Sequence, residues 1–183
     1  MVTRIQDPHL FTQAQDRLRP ICDGPYDLSA SLIRQNGWQV GIVEGAGYLT
    51  SDSARMFAAA AASLACLEIE VIPTRNLNPP VFFIRCRAEP HDLLDLRVAY
   101  PLSLILLPSS LQFVALLNAD YHLYAGPNHF VELAIGDTPK AAYERMFAEF
   151  CAPGVPSAIR NFYVGIARYR EFTDPGNGQN VSH

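Results

Sequence analysis

The run from Ser51 to Leu67, SDSARMFAAAAASLACL, constrains this chain more than any other stretch. Seven alanines between Ala54 and Ala65 give it high helix propensity, because alanine loses no side-chain entropy on entering a helix. Its apolar part, Phe57 to Leu67, covers eleven residues, whereas a bilayer-crossing helix needs about 20. The segment must therefore be buried by the rest of the chain, and its small side chains let a neighbour approach closely. Ser51 is the expected cap of this helix.

The flanking segments supply the partners. LEIEVI (67–72) alternates apolar and acidic residues as a half-exposed strand does. WQVGIV (38–43) and VFFIRCR (81–87) read as further strands, and LQFVALL (111–117) with YHLYA (121–125) reads as a hairpin about Asn118-Ala119-Asp120. PLSLILLP (101–108) fits either a buried strand or a packed extended segment. Helices are expected from Asp7-Pro8 to Pro20, over Tyr26–Gln35, over Pro90–Tyr100, from Asn128 to Ile135, after Thr138-Pro139 and after Ser157. Asn36-Gly37 and Gly136 end two of them. No repeat or domain break interrupts the order. The expectation is a single α+β domain over 1–172, with a mostly antiparallel sheet of about five strands and helices packed on one side. A loose tail is expected over 173–183.

Composition narrows the function classes. The hydrophobic fraction of 49% and charged fraction of 17% are those of a globular chain. The net charge of −4 argues against a nucleic-acid partner, which calls for a basic face. The basic residues are 13 Arg and the single Lys140, a skew that points to a GC-rich bacterial source. MVTRIQDPHLF lacks the apolar core of a secretory signal, so a cytoplasmic protein is expected. Cys22, Cys66, Cys86 and Cys151 stand far apart with no CxxC pair, which disfavours structural zinc and suits buried thiols in a reducing compartment. Cys66 and Cys151 fall near helix C-termini, which raise a thiol pKa and argue against a nucleophile.

Three groups of residues could form a site. Glu68 and Glu70 alternate onto one strand face and, with Glu89, Asp92 and Asp95, could build an acidic surface for a basic partner; a solvated strand face is the plainer reading. His122 and Tyr124 on a strand, with His129 and Glu132 three apart on the following helix and Trp38 on another strand, could line a small-molecule pocket. As metal ligands, His129 and Glu132 would need at least one more donor. Gly45-Ala46-Gly47 follows a strand and precedes a capped helix, but lacks the spacing and lysine of a phosphate loop, so a turn is the plainer reading. RNFYVGIARYREF carries Arg160, Arg168 and Arg170 among Phe162, Tyr163 and Tyr169. That mixture suits an interface, or simply a helix packed on the sheet.

YHLYAGPNHFVELAIG (121–136), followed by AAYERMFAEF, resembles the C-terminal part of small bacterial immunity proteins, which neutralise a toxin by direct contact. The resemblance implies a compact α+β core, modest acidity and no catalytic motif; no cofactor is expected, and the acidic surface makes a basic protein such as a toxin domain the expected partner. The resemblance carries over no functional residue. The alternative is a small-molecule-binding or enzymatic α+β domain with its pocket near Trp38, His122, Tyr124 and His129. A third reading is an assembly subunit that packs through the alanine-rich helix.

Overall fold

The computed structural model describes residues 2–24, 27–45, 47–74, 83–96, 103–150, 152–157 and 165–174. Nine strands are present among them: β1 (Thr3–Ile5), β2 (Cys22–Gly24), β3 (Asp27–Leu28), β4 (Gln39–Glu44), β5 (Glu68–Pro73), β6 (Phe83–Arg87), β7 (Leu104–Leu107), β8 (Val114–Leu117) and β9 (Tyr121–Gly126). The helices are α1 (Pro8–Leu18), α2 (Ala30–Gln35), α3 (Ser51–Ser63), α4 (Pro90–Asp95), α5 (Asn128–Ile135) and α6 (Pro139–Phe150), with a 3-10 helix at Ala167–Phe172. Seven strands form one antiparallel sheet in the order β1-β6-β5-β7-β8-β9-β4, and β2 pairs with β3 in a separate ribbon. The α+β class and the antiparallel sheet agree with the sequence reading.

The sheet is wider than the expected five strands, and helices cover both of its faces. The reason lies in the central strands. All of LILL, VALL and YHLYAG is buried, so each presents apolar atoms to both sides. On one face Val71, Ile84, Leu106, Ala115 and Tyr124 pack with α3, α4 and α5. On the other, Ile72, Phe83, Ile105, Leu116 and Leu123 pack with α1, α2, α6 and the 3-10 helix. The final aromatics belong to this second core, where Tyr169 and Phe172 are buried and the Arg168 guanidinium lies 4.8 Å from the Tyr169 ring centroid. Arg160, Phe162 and Tyr163 lie outside the described residues, as do the tail from 175, Cys151, Arg97 and the first two residues of the strand expected at 81–87.

Local chemistry explains most boundaries. Asp7 starts α1 by accepting from the amides of His9 and Leu10, with Pro8 in the first turn. The cap of α3 is Thr50, one residue before the expected Ser51, and its Oγ1 accepts from the Ser53 amide at 3.2 Å. The same helix stops at Ser63 because Ala65 takes φ 54 and turns the chain, leaving Cys66 and Leu67 outside it. α5 opens after Pro127, so Asn128 is its first helical residue rather than its cap.

The alanines of α3 do what their size allows. Ala54, Ala60 and Ala61 are buried, and α5 packs alongside. Phe57 reaches past them into a ring cluster. It meets Phe113 edge-on at 5.7 Å and Phe130 at 6.2 Å, while Phe113 and Phe130 stack at 4.3 Å. Each such fully buried side chain contributes about 2–3 kcal/mol from burial alone.

Candidate functional site: a cleft at His122

Alternation along β9 sends Tyr121, Leu123 and Ala125 to the α1/α6 face, and His122 and Tyr124 to the α3/α5 face. In register, His122 lies opposite Val43 of β4, and Tyr124 lies opposite Gly41. Two glycines set the depth there. A Cβ at Gly41 would stand 2.6 Å from Val131 and 2.9 Å from Ile135, so its absence lets α5 close on the sheet. A Cβ at Gly45 would stand 2.4 Å from the His122 Cδ2 and 2.7 Å from its Nε2, so the bare backbone covers that edge of the imidazole.

The turn after β4 is pinned to the β8–β9 turn. The amide of Gly45 donates to the Asp120 carbonyl at 3.1 Å, and that of Gly47 (φ 72) to the Asn118 carbonyl at 2.8 Å. These two N–H groups are spent on the fold, which answers the phosphate reading of residues 45–47 in favour of a turn.

Between this turn, the start of α3 and the side of α5 opens a cleft of about 410 Å³. Val43, Met56, Tyr124, Ala134 and Ile135 supply apolar wall; Glu44, Tyr48, Thr50, Asp52, Ser53 and His122 supply polar groups. His122 is only 3% exposed. Its Nδ1 lies 3.4 Å from the Tyr124 hydroxyl, and its Nε2 has no partner among the described residues. Burial pulls the imidazole pKa down to about 4, so the ring is neutral at pH 7. Burial also pushes the Tyr124 phenol well above its ordinary value, so it keeps its proton.

The pocket expected from sequence is brought together only in part. His122 and Tyr124 share the cleft. Trp38 is buried in the core on the opposite face of the sheet. His129 is exposed on α5 and Glu132 half-buried, and neither lines the cleft. No local pattern in the chain joins Tyr48, Thr50, Asp52 or Met56 to His122. The available signal was a glycine directly after a strand, which marks a close backbone approach, but nothing said to what. Among the described residues, no three His, Cys, Asp or Glu side chains gather as metal ligands.

The acidic surface is also divided. Glu70 is 8% exposed and clamped by Arg17 and by Arg85 at 2.9 Å. Asp92 is 2% exposed and accepts from the Arg87 amide at 3.2 Å, with His91 Nε2 at 3.0 Å. Burial opposes its ionisation, yet its hydrogen bonds hold the carboxyl below its ordinary value. Two of the five acids are thus interior, because cross-strand and helix-start basic groups draw them in. Asp95 and Glu68 are exposed, and Glu89 is half-exposed beside Arg87 at 3.2 Å.

Glu68 and Glu89 do share one feature, a second depression of about 770 Å³ at the α3–β5 corner, walled also by Leu64, Leu67, Arg87 and Pro108. Leu67 projects there at 74% exposure. The thiols of Cys22 and Cys86 are pushed up to about 12, chiefly by burial, and that of Cys66 is raised for the same reason. Compared with family models, curated proteins and solved structures, the chain matches none.

Proposed function

We propose that the protein is a non-catalytic binding protein whose guest is a small molecule held in the His122 cleft. One observation carries the reading: a buried imidazole nitrogen without a partner in the wall of an otherwise largely apolar cleft. Buried polar groups are nearly always hydrogen-bonded, so such an atom calls for a complement. The volume of about 410 Å³ lies in the range of small-molecule sites. Binding fits better than catalysis because the lowered proton affinity makes His122 a poor base at neutral pH. Raised pKa values likewise make Cys22, Cys66 and Cys86 poor nucleophiles. The test is amide NMR with a library of small polar-apolar compounds. Shifts confined to His122, Gly45, Met56 and Ile135 support the site. A library that moves residues elsewhere and leaves these four unmoved sinks it.

A second reading has its own observation. Leu67 stands exposed beside Glu68 and Glu89 at the rim of the corner depression. An apolar contact flanked by carboxylates suits a partner that presents a basic segment. We propose on this ground, and on the resemblance of residues 121–147 to immunity proteins, that the corner docks a basic toxin domain in the bacterial cytoplasm. The helices of the described residues include none long and apolar enough to cross a membrane. The experiment is titration of the chain against the product of the adjacent gene, in wild-type form and as the double variant Leu67→Asp, Glu68→Lys. Equal affinity of the two forms, or an adjacent product that neither binds nor harms cells, removes this reading.

A further inference from the structure

The groups that choose among guests are those a guest can reach. The Gly45 backbone covers the Nε2 edge of His122, and the other ring nitrogen faces the Tyr124 hydroxyl at 3.4 Å. Thr50 and Ser53 are engaged with each other. Their hydroxyls lie 3.0 Å apart, Thr50 Oγ1 accepts from the Ser53 amide, and Ser53 Oγ donates to the Thr50 carbonyl at 3.2 Å. Two features stay open. One is the apolar wall of Val43, Met56, Ala134 and Ile135; the other is the rim, where Glu44 and Asp52 line the cleft and are both exposed.

The charges at the rim do not cancel. Among the described residues no Lys or Arg lines the cleft. Asp52 and Arg55 form an exposed pair that is neutral as a unit. The α3 N-terminus contributes the equivalent of roughly half a positive charge. Glu44 makes no ion pair among the described residues, so its full negative charge outweighs the helix end. A cation is therefore attracted to the rim and an anion repelled. Because the carboxylates are exposed, an ammonium beside them keeps much of its water, and the attraction is not lost to desolvation. The part of the guest that goes deeper meets apolar atoms, which only apolar surface complements. Met56 can follow its outline: a Cβ at Gly136 would stand 2.6 Å from the Met56 methyl, and an unbranched thioether fits irregular shapes.

We propose that the cleft takes a monovalent apolar amine. Its ammonium stands at the rim by Glu44 and Asp52, and its aromatic or branched aliphatic body lies on Met56, Ala134 and Ile135. This rests on the small-molecule reading above and names the class of guest. One uncompensated charge at the rim suits one ammonium, and the length of the apolar wall behind it suits a body rather than a bare ion.

The experiment titrates the intact chain with three compounds that share a ring and a two-carbon chain: 2-phenylethylamine, 2-phenylethanol and 3-phenylpropionate. Amide NMR reads site and affinity, at about 20 mM and about 300 mM salt, which bracket weak and strong screening. At low salt the amine is expected to bind about threefold more tightly than the alcohol and about tenfold more tightly than the carboxylate, the scale of exposed charge pairs. At high salt both ratios are expected to shrink toward one while the alcohol keeps its affinity. Glu44→Gln, an exposed change that leaves the apolar wall intact, is expected to remove the lead of the amine over the alcohol. Methylamine, the head without the body, is expected to leave Met56 and Ile135 unmoved.

An alcohol or carboxylate that binds as tightly as the amine at Met56 and Ile135 overturns the amine class and leaves the cleft reading in place. So does an amine preference that survives both Glu44→Gln and high salt, or methylamine that moves the same residues as strongly. If none of the three ring compounds moves Gly45, His122, Met56 or Ile135, the amine class and the cleft reading both fall.

Discussion

Replacing His122 by glutamine is expected to remove most of the protein's acid sensitivity between pH 7 and pH 4. In the folded chain burial holds the imidazole pKa at about 4, against 6.5 for the free group. The unfolded chain therefore binds a proton over this range that the folded chain refuses. Stability rises with pH wherever the unfolded state binds more protons, so stability is lost as pH falls through 6.5 and the loss is complete only below about 4. The interval corresponds to about 3.4 kcal/mol in full, at about 1.4 kcal/mol per pH unit. At pH 5 the unfolded ring is charged and the folded ring still neutral, so about 2 kcal/mol has gone relative to pH 7. That is a large part of the stability of an ordinary domain, about 5–15 kcal/mol. Glu44, Asp52, Tyr48 and Tyr124 also face the cleft; Asp92, whose carboxyl is held low elsewhere in the fold, adds its own loss only toward pH 4 and below. The comparison with His122→Gln cancels these shared contributions. Urea melts at pH 7, 6 and 5 supply the free energies. The wild-type chain is expected to lose about 2 kcal/mol more than the variant between pH 7 and 5. Parallel losses in the two chains would show that the ring titrates normally, and the argument for a buried neutral imidazole would be wrong.

Phe57→Ala is expected to cost about 3–5 kcal/mol in urea unfolding, because Phe113, Phe130 and Tyr124 lose the ring they close on; a cost under 1 kcal/mol would mean the α3 contact is loose. Gly45→Ala is expected to destabilise by about 1–3 kcal/mol, since the new methyl would stand 2.7 Å from the backbone carbon of Tyr121 as well as against the imidazole. A neutral effect at that position would contradict the close approach. With their pKa values near 12, Cys22 and Cys86 are expected to react with a disulfide reagent at pH 8 about a thousandfold more slowly than in unfolded chain; stopped-flow absorbance with and without denaturant measures this.

How far the sequence could be read follows from which signals are local. Asp7-Pro8, Gly136 and the Asn118–Asp120 turn act over a few residues, and each sits where the chain predicts it. β1 has only Thr3, Arg4 and Ile5, and its identity as a strand depends on pairing with Ile84 across the sheet, so no pattern announces it. β2 is as short and β3 shorter still, and β3 displaces the first turn expected of α2. LILL could not declare its second covered face, because continuous burial on both sides looks the same as a packed extended segment. The acids show the limit most directly. The alternation of LEIEV correctly puts Glu68 and Glu70 on one face, but only the register Glu70↔Arg85 and the approach of Arg17 from α1 make one of them interior. His122 is the same problem inverted. Its strand position is legible, but its chemistry is not, because the atoms that define it come from Gly45 and Tyr124 and from a helix that begins at Ser51. Three segments distant in sequence must meet before that nitrogen is buried, neutral and without a partner. For this reason the cleft is tested best by perturbing the meeting point, at Gly45 and His122, rather than the polar residues that merely stand near it.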